Sequence, residues 1–422
     1  MTEPIKIKFL GGAGEIGRSA VAVKVEDQQF LLDCGVMMNH EPGFPAHIPP
    51  REINAIILSH AHLDHSGAIP MFHIREHTPV YGTALTFELA RILISDFIHL
   101  SSYYLPYEYL DLESMMNCVV HMNYNKSVKI GETQIEFLDA GHIPGSAQIL
   151  INTSGRNILY TGDFNTLDTC LLKGADNNYP DLDAVIIEST YANEDHPNRK
   201  QLEMEFVKRV TEIVENGGTV LVPAFAVGRS QEILCVLTAH HFEYPITIDG
   251  MALEVNEVIM RHPENLRDFK LFMNAVHTAN WVGGWRDRRL ATKKPGVIVS
   301  PAGMLKGGAA VFYLENLAKK RENAIFLVSY QIPGSPGREL LEKKQFIIGG
   351  RTRKVEALVE RFDFSSHCGM KELHETVKKL KGDPTLFVIH GAEGNCQQFA
   401  EWIKRDAGFN AVAPEAGEVH HI

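Results

Sequence analysis

The stretch Ala55-Ile56-Ile57-Leu58-Ser59-His60-Ala61-His62-Leu63-Asp64-His65 decides the reading of this chain. An apolar run bounded by polar residues predicts a short buried strand. Directly after it come His60, His62, Asp64 and His65, four metal-capable side chains in six residues. On an extended segment His60 and His62 project to the same side, because side chains alternate. Asp64 and His65 follow where the chain can turn toward a neighbouring ion. Imidazole nitrogen and carboxylate oxygen together suit zinc or manganese. A solvated histidine-rich loop explains the pattern less well, since the cluster sits between a buried strand and the small residues Ser66-Gly67-Ala68.

The same texture recurs along the chain. Gln134-Ile135-Glu136-Phe137-Leu138 runs toward Gly141-His142, Asn157-Ile158-Leu159-Tyr160 toward Gly162-Asp163, Ala184-Val185-Ile186-Ile187 into Glu188, and Leu386-Phe387-Val388-Ile389 into His390. Rigid strands that end in polar loops position chemistry, so these strand ends are expected to share one site. From Tyr191 to about Arg353 the texture changes. Leu202, Phe206, Val210 and Ile213 recur at helical spacing before Gly217-Gly218, and strands such as Thr219–Pro223 and Gly296–Ser300 alternate with helices. That alternation predicts a parallel α/β unit. Strand-then-ligand texture then returns, so one domain is expected to interrupt another, with divisions at 1–190, 191–353 and 354–422.

Of the 422 residues, 45% are hydrophobic and 22% charged. These ordinary globular values exclude a disordered chain, a collagen-like chain and a small disulfide scaffold. No apolar run reaches the ~18 residues of a membrane span. The start, Met1-Thr2-Glu3-Pro4-Ile5-Lys6, has no basic segment followed by an apolar core, so no signal peptide is expected. Six cysteines without a CxxC pair read as reduced thiols of a cytoplasmic protein. The net charge of −11 argues against a protein that coats nucleic acid non-specifically, and leaves room for a local basic groove.

HxHxDH after a strand resembles the signature of the metallo-β-lactamase superfamily. Leu31-Leu32-Asp33-Cys34-Gly35, Gly141-His142 and Gly162-Asp163 resemble that superfamily's other motifs in the right order. Glu188-Ser189-Thr190-Tyr191, Phe364-Ser365-Ser366-His367 and His390-Gly391 resemble motifs A, B and C of its β-CASP branch, and further matching segments lie at Val222–Glu232 and Gly334–Arg338. The motifs span the chain from Gly11 to His390. A histidine at motif C resembles the RNA nucleases of the branch more than its DNA nucleases. The compact length resembles the short archaeal cleavage-and-polyadenylation-factor-like and RNase J-like proteins.

The resemblance implies an α/β fold, an αββα sandwich with an inserted β-CASP domain, and a site in the cleft between them. It implies a zinc-dependent ribonuclease acting on single-stranded RNA in processing or decay, with two Zn2+ and manganese as the alternative. His60, His62, His142 and Asp163 would hold one ion, and Asp64, His65, Asp163 and His390 the other, with Asp163 bridging. A water between such ions ionises near ~pH 7. His367 would be the general acid, held by Glu188, and Asp33 would orient a ligand histidine. Exonuclease and endonuclease are not separated. A non-catalytic RNA-processing subunit, a small-molecule hydrolase and a DNA nuclease are the alternatives. A homodimer is expected from the resemblance and from the frequency of C2 dimers, and membership of an RNA-processing complex is also expected.

Three features stay open at this level. Arg229 and Ser230 open a helix whose N–H groups favour anions, and Ser300 and Gly303 lie in a turn after a strand; either could hold phosphate or be a tight turn. Arg286, Arg288, Arg289, Lys293 and Lys294, and likewise Arg351, Arg353 and Lys354, read as solvated faces or as an RNA track. The aromatic cluster Tyr103-Tyr104-Leu105-Pro106-Tyr107 reads as packing or as a base-stacking surface.

Overall fold

Alternation between water and core shapes the first strands. In Lys6–Gly11, Ile7 and Phe9 are buried while Lys6 is exposed. That strand forms an antiparallel hairpin with Ala20–Val25, which pairs with Gln28–Leu32. Ala55–Ile57, Val80–Thr83 and Val119–Met122 then add in parallel. With Val419–His421 on the outer edge this makes a seven-stranded sheet. A second seven-stranded sheet begins with the antiparallel run Lys126–Ile130, Thr133–Asp139, Ala147–Thr153 and Arg156–Tyr160. Asp181–Glu188, Lys381–Ile389 and Ala411–Val412 extend it in parallel. The computed structural model describes residues 4–38, 41–331, 334–348 and 351–422. The N-terminal residues Met1, Thr2 and Glu3, used above to argue against a signal peptide, lie outside the described residues, as does the side chain of Arg351.

The two sheets bury one common core. Phe9, Val21, Val23, Phe30 and Ile57 from the first sheet pack with Phe137, Ile149, Ile158, Ile186 and Phe387 from the second. The far face of the second sheet is covered by helices Met370–Lys378 and Glu393–Trp402, through Leu373, Val377, Cys396 and Phe399. Helix Ala84–Ser101 packs on Val80–Thr83 and Val119–Met122 and buries Leu85, Phe87, Leu89 and Ile94. The layers therefore run helix, sheet, sheet, helix, the metallo-β-lactamase sandwich, and an α/β domain is inserted in it.

The inserted unit has its own six-stranded parallel sheet in the order Asn280–Trp281, Ile246–Ile248, Gly296–Ser300, Thr219–Pro223, Ala324–Leu327 and Leu358–Arg361. Its core gathers Leu221, Ile298, Tyr313, Leu314, Ile325 and Leu327. The chain separates into Met1–Asp168, Gly174–Asp195 and Ser366–Ile422 on one side, and Thr169–Lys173 with His196–Ser365 on the other. The expected return at residue 354 differs from this return at Ser366. The reason is Leu358–Arg361, which pairs along its length with Ala324–Leu327 and so stays with the inserted sheet. The excursion Thr169–Lys173 has no apolar period to announce it.

All six cysteines are free. Among the described residues, no helix is long and apolar enough to cross a membrane.

Candidate metal centre

The end of the parallel strand Ala55–Ile57 delivers the histidine motif, and a short helix Leu63–Ser66 entered from His62 turns Asp64 and His65 inward. The chain around the Asp33-Cys34-Gly35 turn approaches this helix closely through its backbone. The Asp64 carbonyl accepts from Ser19 N at 2.8 Å, and the His65 carbonyl accepts from Cys34 N at 2.8 Å. A Cβ on Gly35 would stand 1.7 Å from the Asp64 carbonyl oxygen, so only glycine permits the approach. Strands Asp181–Glu188 and Lys381–Ile389 pair with Glu188 opposite Ile389, which sets Glu188 and His390 side by side at adjacent strand ends. His390 has φ +50 and Asp33 φ +57, a region costly for residues with a Cβ and frequent at functional sites.

Two side-chain groups assemble here. Ligand atoms of His60, His62, His142 and Asp163 lie within 4.8 Å of one another, and so do those of Asp64, His65 and His390. Asp163 faces both groups. Its Oδ2 is 3.6 Å from His60 Nε2 and 3.7 Å from His142 Nε2, and its Oδ1 is 3.4 Å from His65 Nε2 and 3.3 Å from His390 Nδ1. His390 Nε2 is 3.4 Å from Asp64 Oδ2.

The hydrogen bonds behind these side chains fix their tautomers. Ser59 Oγ donates to Asp33 Oδ2 at 2.6 Å, so it accepts from His60 Nδ1 at 3.0 Å. His65 Nδ1 donates to Asp33 Oδ2 at 2.7 Å, and His142 Nδ1 donates to the Ser366 carbonyl at 2.9 Å. The His60 and His142 rings then present a bare Nε2 lone pair to the interior, whereas His65, against the effect of burial, is raised above its ordinary value by Asp163 and Asp33. Buried His60 Nε2 has no hydrogen-bond partner. His142 Nε2 stands 3.2 Å from His62 Nδ1, and His65 Nε2 3.3 Å from His390 Nε2. Acceptor lone pairs crowded together in a buried space are costly without a cation to receive them. The residues therefore fit divalent metal, and the nitrogen and oxygen donor set suits zinc.

Charge states follow from burial and neighbours. Burial, then the neighbouring histidines, lower His60 and His142, and burial lowers His62 to about 4. Burial works against ionisation of Asp163, but His390 and His65 hold it well below the usual carboxylate range. Burial also works against charge on His367, yet Glu188 and then Asp163 raise it to about 9. His367 Nδ1 lies 2.9 Å from Glu188 Oε2 and 3.0 Å from Oε1. Glu188 is itself held by Phe164 N at 2.9 Å and Thr190 Oγ1 at 2.5 Å. The His367 ring centroid is 4.6 Å from that of His142, so the pair adjoins the histidine cluster.

Asp33 is fully buried and accepts four hydrogen bonds, from Ser59 N, Ser59 Oγ, His65 Nδ1 and Tyr160 Oη. The sequence reading missed Ser59, Tyr160, Thr190 and Ser366 as orienting groups. Each directly neighbours a motif residue or ends a strand, and that was the available signal.

The four residues suggested for phosphate belong to the inserted unit. Ser230 is buried and spends its hydroxyl proton on the Phe225 carbonyl at 2.7 Å. Ser300 is buried, and a Cβ on Gly303 would come within 3.0 Å of Ser329 Oγ and 3.1 Å of Phe225 N, which is tight-turn packing. Arg229 is largely buried. The tyrosine cluster divides: Tyr107 is buried and donates to the Gly67 carbonyl, whereas Tyr103 is 91% exposed.

Comparisons with known proteins agree with this architecture. Residues 22–186 match the metallo-beta-lactamase superfamily domain, 230–340 the Beta-Casp domain, and 352–414 the Zn-dependent metallo-hydrolase RNA specificity domain. "RNase aCSPSF2" of Saccharolobus solfataricus is 41% identical over 98% of this chain and 84% of its own length. "Probable RNase MJ4" of Methanocaldococcus jannaschii is 38% identical over 98% of this chain and 99% of its own length. "Transcription termination factor FttA" of the same organism is 33% identical over 95% of this chain and 69% of its own. A solved structure, a protein of unknown function from Enterococcus faecalis V583, shares the fold with TM-score 0.65 at 16% identity, each chain fully covered. On the full-length match to these relatives and the three domain matches, the chain belongs to the metallo-β-lactamase/β-CASP family of metal-dependent RNA nucleases.

Proposed function

We infer that this protein hydrolyses phosphodiester bonds of single-stranded RNA at a two-metal centre. The observation that carries the reading is the pair of side-chain groups that share Asp163, with the Glu188–His367 pair beside them. His60, His62, His142 and Asp163 would hold one divalent cation, and Asp64, His65, Asp163 and His390 would hold the second, with zinc as the expected metal and manganese as the alternative. Bound cations supply an activated water and neutralise charge on the scissile phosphate. The remaining work falls to the chain. Glu188 orients His367 through Nδ1, and His367 gives a proton from Nε2 to the leaving sugar oxygen. Asp33, with Ser59, keeps His65 and His60 in the tautomers that aim Nε2 at metal. RNA processing or decay in the cytoplasm, by a homodimer or within a larger complex, completes the proposal.

The test uses one synthetic single-stranded RNA, labelled at either end and carrying a 5′-monophosphate or a 5′-hydroxyl. Wild-type protein cuts it, and a chelator or Asp64→Ala abolishes cutting. His367→Ala lowers kcat by about 10²–10⁴-fold, the usual worth of a general acid. Mononucleotides released from a phosphorylated 5′ end identify an exonuclease. Internal fragments indifferent to that end identify an endonuclease. A zinc-loaded wild type that leaves RNA intact overturns the proposal.

A further inference from the structure

The basic run of the inserted unit separates into two jobs. Arg288 is committed to structure: its Nε lies 2.6 Å from Oδ2 of buried Asp249 and its Nη2 2.9 Å from Oδ1. Tyr313 donates to the same Asp249 Oδ2 at 2.8 Å. A bidentate, buried anchor of this kind leaves the guanidinium one position. From that position Arg288 stacks over the ring of Trp285, 4.9 Å from its centroid. Phe312 meets the same indole edge-on, with centroids 5.5 Å apart. Yet Trp285 is 62% exposed. The fold thus holds a large aromatic ring rigidly and leaves most of it in water.

The surroundings are cationic. Arg286, Arg289, Lys293 and Lys294 are exposed, and among the described residues no acidic side chain pairs with any of them. Their neighbour Asp287 accepts instead from Gly283 N. On a chain of net charge −11 this is a local reversal of sign. Burying an exposed indole alone would suit many partners. An indole pre-ordered by packing, on a helix that carries exposed Arg286 and Arg289 and is followed by exposed Lys293 and Lys294, suits a polyanion with flat faces, because bases stack on aromatic rings while phosphates meet the cations.

We propose that Trp285, with Arg286, Arg289, Lys293 and Lys294, forms a stacking platform that binds single-stranded RNA on the inserted unit. The platform rests on the reading of the protein as a ribonuclease and names where a further part of the same substrate is held. It is sequence-tolerant, since every base offers a π-face.

The test measures binding of a fluorescein-labelled oligouridine to the zinc-loaded full chain by anisotropy, in a His367→Ala background, beside cleavage by the parent. Trp285→Ala is expected to raise Kd by roughly 5–100-fold, the range for loss of one stacked base. Trp285→Phe recovers part of that loss, and circular dichroism reports that both variants are folded. Arg286→Ala with Arg289→Ala flattens the dependence of log K on log salt by about 0.7 for each phosphate that is no longer neutralised. A strand of the same length without bases should bind the same in the parent and Trp285→Ala. An unchanged Kd in Trp285→Ala overturns the platform even when the parent cuts RNA. Weakened binding by that variant supports it even when the parent cuts nothing, in which case the ribonuclease reading alone fails. Absence of oligouridine binding by the parent overturns it.

Discussion

Asp33 lies outside the proposed ligand set and orients two of its histidines. Oδ1 accepts from Ser59 N and Oδ2 accepts three further bonds, and Oδ2 sets the tautomer of His65 directly and that of His60 through Ser59. Asp33→Asn replaces one of those acceptors by an amide donor. The variant should lose about 10–100-fold in metal affinity, as outer partners of metal ligands typically do. Competition against a calibrated chelator measures this, and an unchanged affinity in the folded variant would sink the assignment. His60, His62, Asp64 and His65 were legible in the sequence because they lie within one turn of chain. The orienting bonds were not, because Ser366 reaches His142 and Tyr160 reaches Asp33 across long stretches of sequence. The same limit split the basic run only in the structure: nothing local to Arg288 announces Asp249.

At the scale of elements, the strands and helices were legible wherever hydrophobic period was strong. Thr219–Pro223 and Gly296–Ser300 fall where the apolar runs predict, and Leu202, Phe206 and Val210 line the buried face of helix Arg199–Glu215. The turn Asp33-Cys34-Gly35 was readable only as a motif, since its purpose is a backbone approach. Gly35→Ala should force the Leu63–Ser66 helix outward. Zinc content and activity should both fall, with about 1–3 kcal/mol of stability lost to overpacking. Elemental analysis and urea unfolding report the two effects, and a fully loaded variant of parental stability would refute the packing argument. Helix Met370–Lys378 carries a pH-sensitive contact. His374 stacks on Trp402 at 3.5 Å between centroids, and burial, then Lys378, hold its pKa below the ordinary value. Its folded form thus binds fewer protons than the unfolded chain, so its contribution is present above the unfolded value of about 6.5 and is lost as pH falls below it. His374→Phe should lose less stability than the parent on moving from about pH 7.5 to about pH 5.5, as read by thermal unfolding; an equal loss would remove His374 from that account.

At the scale of the molecule, the interruption of one domain by another was legible as a change of texture, and its finer path was not. The short excursion Thr169–Lys173 belongs to the inserted unit because polar contacts hold it there. Glu232 accepts from Cys170 N at 3.0 Å and Leu171 N at 2.8 Å, and Arg267 Nη1 donates to the Thr169 carbonyl at 2.7 Å. Glu232 also pairs with the half-buried Arg199. Glu232→Gln strips that arginine of one of its two carboxylate partners, and because Glu203 remains 3.0 Å from Arg199 Nε the cost should be about 1–2 kcal/mol, the range for a lost charge-assisted hydrogen bond. Urea unfolding followed by circular dichroism would show it; a variant as stable as the parent would mean that the backbone contacts alone secure the excursion.

The strand that carries His390 is laid against Asp181–Glu188 after the inserted unit has already intervened in the chain. A polypeptide still on the ribosome, made as far as Ser365, holds His60, His62, Asp64, His65, His142 and Asp163 but neither His367 nor His390. With the roles proposed above, such a nascent chain lacks both the proton donor and one holder of the second ion, so its cleavage activity should wait for the strand that carries His390.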